Sequence, residues 1–241
     1  MTVSDHHGAD HYVVLQRLHE WYRPERYLEI GTLDGASLRY ATCPVIAIDP
    51  EFRIEDASIM TNKPECHLYQ QTSDDFFARD DIAVILRQPV DLAFLDGMHL
   101  CEFLLRDFIN TERYCRPDSV IVLHDCLPVE RPMTERDRDK AINILPNHNG
   151  WWTGDVWRTA LALKRFRPDL QISAFDSPPT GLITVTGLNP QSRLLAAPWI
   201  VETMMHWTFD QPGLFRELGV EPTSAIDSQE KVQGRFPRLP R

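Results

Sequence analysis

At 241 residues, 43% hydrophobic and 25% charged, the chain is sized and composed as one globular domain with at most an appendage; no apolar run reaches the length of a membrane span, and the N-terminus around Asp5, His6, His7 and Asp10 has no apolar signal stretch. A formal net charge of −10 argues against nucleic-acid partners, which are held by basic stripes that neutralise phosphates, and leaves small molecules or proteins. Five cysteines, Cys43, Cys66, Cys101, Cys115 and Cys126, are odd in number and lack C-x-x-C spacing, so a disulfide framework and a zinc knuckle are set aside and a reducing cytoplasm is expected.

In chain order, Tyr12, Leu15, Leu18 and Tyr22 recur at helical spacing and predict a first helix that Pro24 ends. Strands are expected at about 27–30, 45–48, 67–70, 90–95 and 119–123, with a helix carrying Phe103, Leu104 and Phe108 between the last two. The run Asp91 to Asp96 is apolar at consecutive positions, as a strand buried on both faces requires. A long loop follows over 127–152, with Pro128, Pro132, Pro146 and Gly150, and reads as a lid. A helix at about 153–167 then precedes strands at 171–175 and 182–186, whose short connection, Asp176 to Gly181, makes them antiparallel. The expected fold is α/β: a Rossmann-like, doubly wound, seven-stranded sheet, mostly parallel with an antiparallel C-terminal hairpin. It occupies 1–190; the remainder, 191–241, is expected to hold a helix with Trp199, Thr203, Met204 and Trp207 on one face, as core or subunit contact in a homo-oligomer, and a frayed tail after about Thr223.

The first chemical signal is Tyr27-Leu28-Glu29-Ile30-Gly31-Thr32-Leu33-Asp34-Gly35-Ala36: a strand ending in an acid, then a glycine turn that opens a helix. Asp49 ends the next strand 49 − 29 = 20 residues on, where an acid can accept both ribose hydroxyl hydrogen bonds. A dinucleotide fingerprint needs three glycines so that backbone can close on a pyrophosphate, and here only Gly31 and Gly35 are present. Thr32 and Leu33 crowd that place, and Glu29 would repel a diphosphate. A ribose ligand without phosphate fits better, and S-adenosylmethionine, cationic at sulfur and nitrogen, tolerates the carboxylate. The plainer alternative is that the two glycines only make a tight turn.

The second signal is Asp96-Gly97-Met98-His99 at the end of the fourth strand with His124-Asp125 at the end of the fifth. Neighbouring strands lie ~4.8 Å apart, so Asp96 and Asp125 converge beside the Gly31 loop at the switch point of the sheet. Two carboxylates so held share a proton or bind a hard cation such as Mg²⁺, next to the place where a donor's methyl group would lie. Such a cation would lower the pKa of a substrate hydroxyl, and His99, with an ordinary pKa near 6.5, could take its proton. The bland reading of His99 is a structural hydrogen bond at a helix start. His124 is the weaker candidate, because the residue before Asp125 should point to the other side of the strand.

At these residues the chain resembles class I S-adenosylmethionine-dependent methyltransferases, within them the catechol- and caffeoyl-coenzyme-A-type O-methyltransferases and the bacterial "methyltransferase domain" proteins near macrocin-type O-methyltransferases. The resemblance covers about residues 10–190. It implies that the loop with Glu29, Gly31, Thr32, Gly35 and Ser37 receives the methionine part of the cofactor, that Asp49 holds the ribose, and that Ser73 and Asp74 lie along the adenine. It implies metal and catalytic roles for Asp96 and Asp125, with His99 where catechol-type enzymes carry a catalytic lysine. The chain departs from that pattern at Cys126, where the third metal ligand would be an amide; a thiol is a poor ligand for a hard cation.

Trp151-Trp152-Thr153-Gly154-Asp155-Val156-Trp157-Arg158 reads either as an aromatic wall, with Trp152, Asp155 and Arg158 addressing the substrate, or as a helix start capped by Thr153 or Asp155 with Trp157 packed beneath. Two functions remain open: O-methylation of a small-molecule hydroxyl on a secondary metabolite or sugar, and a catalytically silent binding module or partner subunit. Asp96, His99 and Asp125 together favour the enzyme.

Overall fold

The computed structural model describes residues 6–144 and 151–239. Asp5, and Pro146 and Gly150 of the lid-like stretch, lie outside the described residues. An eight-stranded sheet forms the centre, in the order β3-β2-β1-β4-β5-β7-β6-β8. The strands are β1 Tyr27–Ile30, β2 Val45–Ile48, β3 Cys66–Tyr69, β4 Val90–Leu95, β5 Cys115–His124, β6 Gln171–Asp176, β7 Leu182–Thr186 and β8 Glu221–Pro222. β1 to β5 pair in parallel, and β7 runs antiparallel to both β5 and β6. The helices are α1 His11–Arg17, α2 Ser58–Thr61, α3 Ser73–Arg79, α4 Ile82–Leu86, α5 Cys101–Glu112, α6 Arg138–Ile144, α7 Trp157–Phe166, α8 Pro198–Met205, α9 Gln211–Leu218 and α10 Gln229–Arg235.

Every residue of β1, β2 and β4 is buried, because the sheet is covered on both faces and consecutive apolar side chains alternate between them. Leu28, Ile30, Ile46, Ala93 and Leu95 face one layer with Phe76, Phe108 and Leu163; Tyr27, Val45, Leu92 and Phe94 face another with Val14, Leu18 and Val232. Each fully buried Leu, Ile or Phe contributes about 1.5–3 kcal/mol. The two layers therefore hold the strand ends, and what they carry, in fixed register.

Four expectations are corrected. No α-helix follows Gly31: Gly31, Leu33 and Gly35 all take positive φ, and before Pro44 only one 3-10 turn, Leu38–Tyr40, has room to form. The sheet gains an eighth strand, because Glu221–Pro222 adds in parallel to β6. The stretch beyond Thr223 is folded, since α10 buries Val232 and its flanking Ile226 and Phe236 against the first helix, while Arg238 pairs with Asp91 at 2.6 Å. The aromatic face expected on the 199–207 helix is also turned: α8 buries Ile200 and Met204, and Trp199 is half-exposed on Phe166.

Candidate active site

The carboxyl ends of β1, β2, β4 and β5 open into a cavity of about 800 Å³. At its start, Gly31 has a φ of 86°, and a Cβ there would overlap the Asp96 carbonyl oxygen. Only glycine lets the β1 loop press on the end of β4. Asp49 lines the cavity and fixes the same loop, its Oδ2 accepting from the Leu33 amide at 2.8 Å and its Oδ1 from the Glu51 amide at 2.7 Å. Thr32 and Ser37 also line the cavity.

Glu29 and Gly35 do not line it. Glu29 is fully buried: the Tyr27 hydroxyl donates to its Oε2 at 2.6 Å and the Ser37 hydroxyl to its Oε1 at 3.0 Å. Burial raises its pKa to about 7, against the pull of those hydroxyls. It acts on the cavity wall through Ser37. Gly35 packs on Ile54 and Ile59 in the turn.

Beyond Asp49 the wall is made by Ser73 and Asp74 at the start of α3 and by Phe103 and Asp107 of α5. Asp74 is held by Arg106 in a two-pronged pair, Nε to Oδ1 at 2.9 Å and Nη2 to Oδ2 at 2.7 Å, which keeps its pKa low. Phe103, expected in the core, faces the cavity instead.

Asp96, His99, His124 and Asp125 converge on the same cavity. His124 Nδ1 lies 3.1 Å from Asp96 Oδ1, His99 Nδ1 lies 3.2 Å from Asp125 Oδ2 and 2.8 Å from the Trp152 carbonyl oxygen, and His99 Nε2 lies 3.5 Å from Asp96 Oδ1. The expectation for His124 fails for a local reason. Asp125 takes a φ of 59°, which breaks the strand's alternation and turns both side chains to the same side. The Thr180 hydroxyl, from the β6–β7 connection, donates to Asp125 Oδ1.

Burial opposes the charged form of every group in this cluster, and the opposite charges outweigh it. Asp125 and Asp96 hold the His99 pKa up at about 9 and that of His124 well above its ordinary value, while the imidazoles hold both carboxyls below the usual range. The shifts favour negative charge on the two carboxyls and positive charge on the two imidazoles. A raised pKa favours His99 as a proton donor to the two carboxyls beside it.

Asp96, His124 and Asp125 each offer one ligand atom, all within 4.8 Å of one another. Cys126 is buried with its thiol donating to the His124 carbonyl at 3.2 Å, so the atom grouped with the two carboxylates belongs to the imidazole before Asp125 and not to the residue after it. A second group, Cys101, Glu102 and Asp155, is equally close but already neutralised by Arg136 and Arg158.

Of the tryptophan segment, Trp151 and Trp152 line the cavity and Trp152 stacks on His99, ring centroids 4.9 Å apart. Asp155 and Arg158 do not line it. Asp155 is buried and accepts from the Cys101 amide at 2.9 Å, from Arg136 and from Arg158, and so it caps α5 rather than the helix that follows it. Trp157 packs beneath α7 as the plainer reading held. Neither Thr153 nor Asp155 caps α7.

Sequence reasoning missed Tyr12, Asp107, Arg138 and Thr180 on the cavity wall and His11 behind it, its ring centroid 4.4 Å from that of His124. His11 and Tyr12 arrive on an N-terminal strap bound to the β6–β7 connection, where the Ser177 hydroxyl donates to the Ala9 carbonyl at 2.7 Å, and to the residue after β8, where the Ala9 amide donates to Thr223 Oγ1 at 2.6 Å. Nothing in a helix-period pattern marks such long-range contacts.

Residues 28–126 match the family model described as "Methyltransferase domain". The O-methyltransferase TomG from Streptomyces achromogenes, involved in tomaymycin synthesis and solved in complex with SAM, is 19% identical over 74% of this chain and 79% of its own, with a TM-score of 0.51. Cofactor-bound Rv0187 from MTB is 19% identical over 73% of this chain and 78% of its own, with a TM-score of 0.52. No curated protein matches. The chain shares the fold of these two proteins, and residues 28–126 match a methyltransferase-domain model, in line with the resemblance carried by the residues around Glu29, Asp49, Asp96 and Asp125.

Proposed function

We propose that the protein transfers a methyl group from S-adenosylmethionine to a hydroxyl of a small molecule. The observation that carries this reading is the placement of Asp96, His99, His124 and Asp125 on the wall of the same cavity that Asp49 and the Gly31 loop line. Asp49 retains lone pairs toward the cavity for the ribose, and Thr32 and Ser37 face the methionine part. The hydroxyl to be methylated would sit against the carboxylates of Asp96 and Asp125, one of which takes its proton as the oxygen bonds to the methyl carbon and the sulfur–methyl bond breaks. His99 and Thr180 hold those carboxylates in place. Trp152 and Trp151 shut water from that end and offer flat apolar surface to the acceptor.

A divalent cation would be held by Asp96, Asp125 and, once its imidazole gives up its proton, His124. It would supply Lewis acidity, lowering the pKa of a bound hydroxyl without a protein base. An imidazole among the ligands favours Mn²⁺ or another borderline ion over Mg²⁺. The five free cysteines support a reducing, cytoplasmic setting, and the net charge of −10 supports a small-molecule acceptor. Among the described residues no helix is long and apolar enough to cross a membrane.

The test is calorimetric titration of metal-free protein with S-adenosylhomocysteine, then with Mg²⁺ and Mn²⁺. Micromolar binding is expected, with a metal heat that disappears in Asp125→Ala. Absence of any S-adenosylhomocysteine heat would leave the silent binding module as the reading.

A further inference from the structure

Arg136 does not line the cavity, yet it ties together segments that do. Its guanidinium donates from Nη2 to Glu102 Oε1 at 2.6 Å, from Nη1 to Glu102 Oε2 at 3.1 Å, and from the same Nη1 to Asp155 Oδ2 at 2.6 Å. Asp155, its side chain 2% exposed, is fixed independently by the Cys101 amide and by Arg158. A planar fork on one carboxylate with a buried second carboxylate at its edge makes a directed clasp, unlike a single exposed ion pair, which contributes little. Cys101 and Glu102 begin α5, so the clasp fastens the 131–136 segment to the start of that helix.

One residue before Arg136, the Glu135 carbonyl accepts from the Trp152 indole Nε1 at 2.5 Å. The indole also packs on Val129, Met133 and Ala141, a small apolar cluster separate from the two layers that cover the sheet. Thr153 adds to this seam, donating to the Met133 carbonyl from its amide at 3.1 Å and from its hydroxyl at 2.9 Å. The indole in turn stacks on the His99 ring, 17° from parallel. Two residues on, Gly154 takes a φ of 55°, and a Cβ there would overlap the His99 carbonyl oxygen, so the segment presses on His99 as closely as glycine allows. Apolar contact is non-directional and leaves the angle of the indole open; the directed bonds at Glu135 and Arg136 set it.

We propose that Arg136 is a positioning residue for the cluster around His99: its clasp on Glu102 and Asp155 sets Glu135, Glu135 sets the Trp152 indole, and the indole seats His99 beside Asp96 and Asp125. Its bearing on methyl transfer rests on the function proposed above, while the chain of contacts stands without it. Charge alone does not fill the role. A lysine at 136 would keep the cation but, as a point charge on a flexible stem, would not hold two carboxylates in one fixed arrangement.

The experiment is fluorine NMR of the full chain labelled with fluorotryptophan, one resonance for each of its six tryptophans. Trp152→Phe assigns the Trp152 line, and His99→Ala marks where that line falls without the imidazole against it. Arg136→Ala and Arg136→Lys are both expected to move the line about half of the way to that mark or further, with S-adenosylhomocysteine affinity, by calorimetry, within about twofold of wild type. A residue that only stabilised the fold would lower Tm and leave the line in place. An unmoved line in Arg136→Ala overturns the inference, and so does full restoration by Arg136→Lys, since charge alone would then be enough. A loss of S-adenosylhomocysteine affinity of about tenfold or more overturns it too, by placing the effect at the cofactor. Wild-type protein that binds no S-adenosylhomocysteine overturns the cofactor reading instead and leaves the line to decide the clasp. Should Arg136→Ala fail to fold, Glu102→Gln replaces it, since it uncharges the clasp at constant size: a moved line supports the inference and an unmoved one overturns it.

Discussion

Glu29 shows how a buried carboxyl ties stability to pH. Its pKa is about 7 in the folded protein, against an ordinary value of 4.5, so folding favours its protonated form. That contribution is fully present below about pH 4.5 and is lost as pH rises through about 7. Urea unfolding at pH 5 and at pH 8.5 should show the wild type falling behind Glu29→Gln by about 2–3 kcal/mol across that interval. A constant gap would mean that Glu29 stays ionised. At the same scale, Asp49→Ala should weaken S-adenosylhomocysteine binding by about tenfold or more, through the ribose and through the Leu33 amide it releases. Asp96→Ala should leave that affinity within about threefold and lower transfer by about a hundredfold or more; equal activity would defeat the assignment. Asp49, Asp96 and Asp125 were legible in the sequence because a strand end fixes where its last acid points. His124 was not, since a single positive φ at Asp125 reverses the alternation on which the expectation stood.

Elements were read well where packing alone decides them. β1, β2 and β4 follow from apolar runs, since strands covered on both faces admit little else. The helix expected after Gly31 failed because three positive φ angles use up the segment. That turn makes a sharp forecast. Gly31→Ala meets both the left-handed backbone and the Asp96 carbonyl, and should cost about 3 kcal/mol, visible as a fall in Tm of on the order of 5–10 °C. The last helix makes another. Polar composition suggested a frayed end, yet α10 needs only Val232 and the flanking Ile226 and Phe236 to anchor it. Phe236→Ala should lower stability by about 3–5 kcal/mol in chemical denaturation; a change below about 1 kcal/mol would show that the segment is only loosely held.

Across the whole molecule, the segment that binds the cofactor in this reading and the segment that completes the chemistry come from different parts of the chain. Asp49 and the Gly31 loop lie within residues 28–126, whereas Thr180, which holds Asp125, and Trp152 and Tyr12 lie outside them. Thr180→Val should therefore reduce turnover about tenfold with S-adenosylhomocysteine affinity unchanged within about twofold, measured as rate against Kd on one preparation. This division was hidden from sequence because its contacts span more than fifty residues. The strap over residues 6–12 adds a practical point. It leads directly from the N-terminal side of the chain to His11 and Tyr12 at the cleft, while Arg238 and Leu239 are tied to Asp91 and Asp118 at the far end of the strands. A purification handle or fluorescent fusion placed before the strap would pull on the catalytic mouth. The same handle after Leu239 would hang from the floor of the sheet and leave the mouth free.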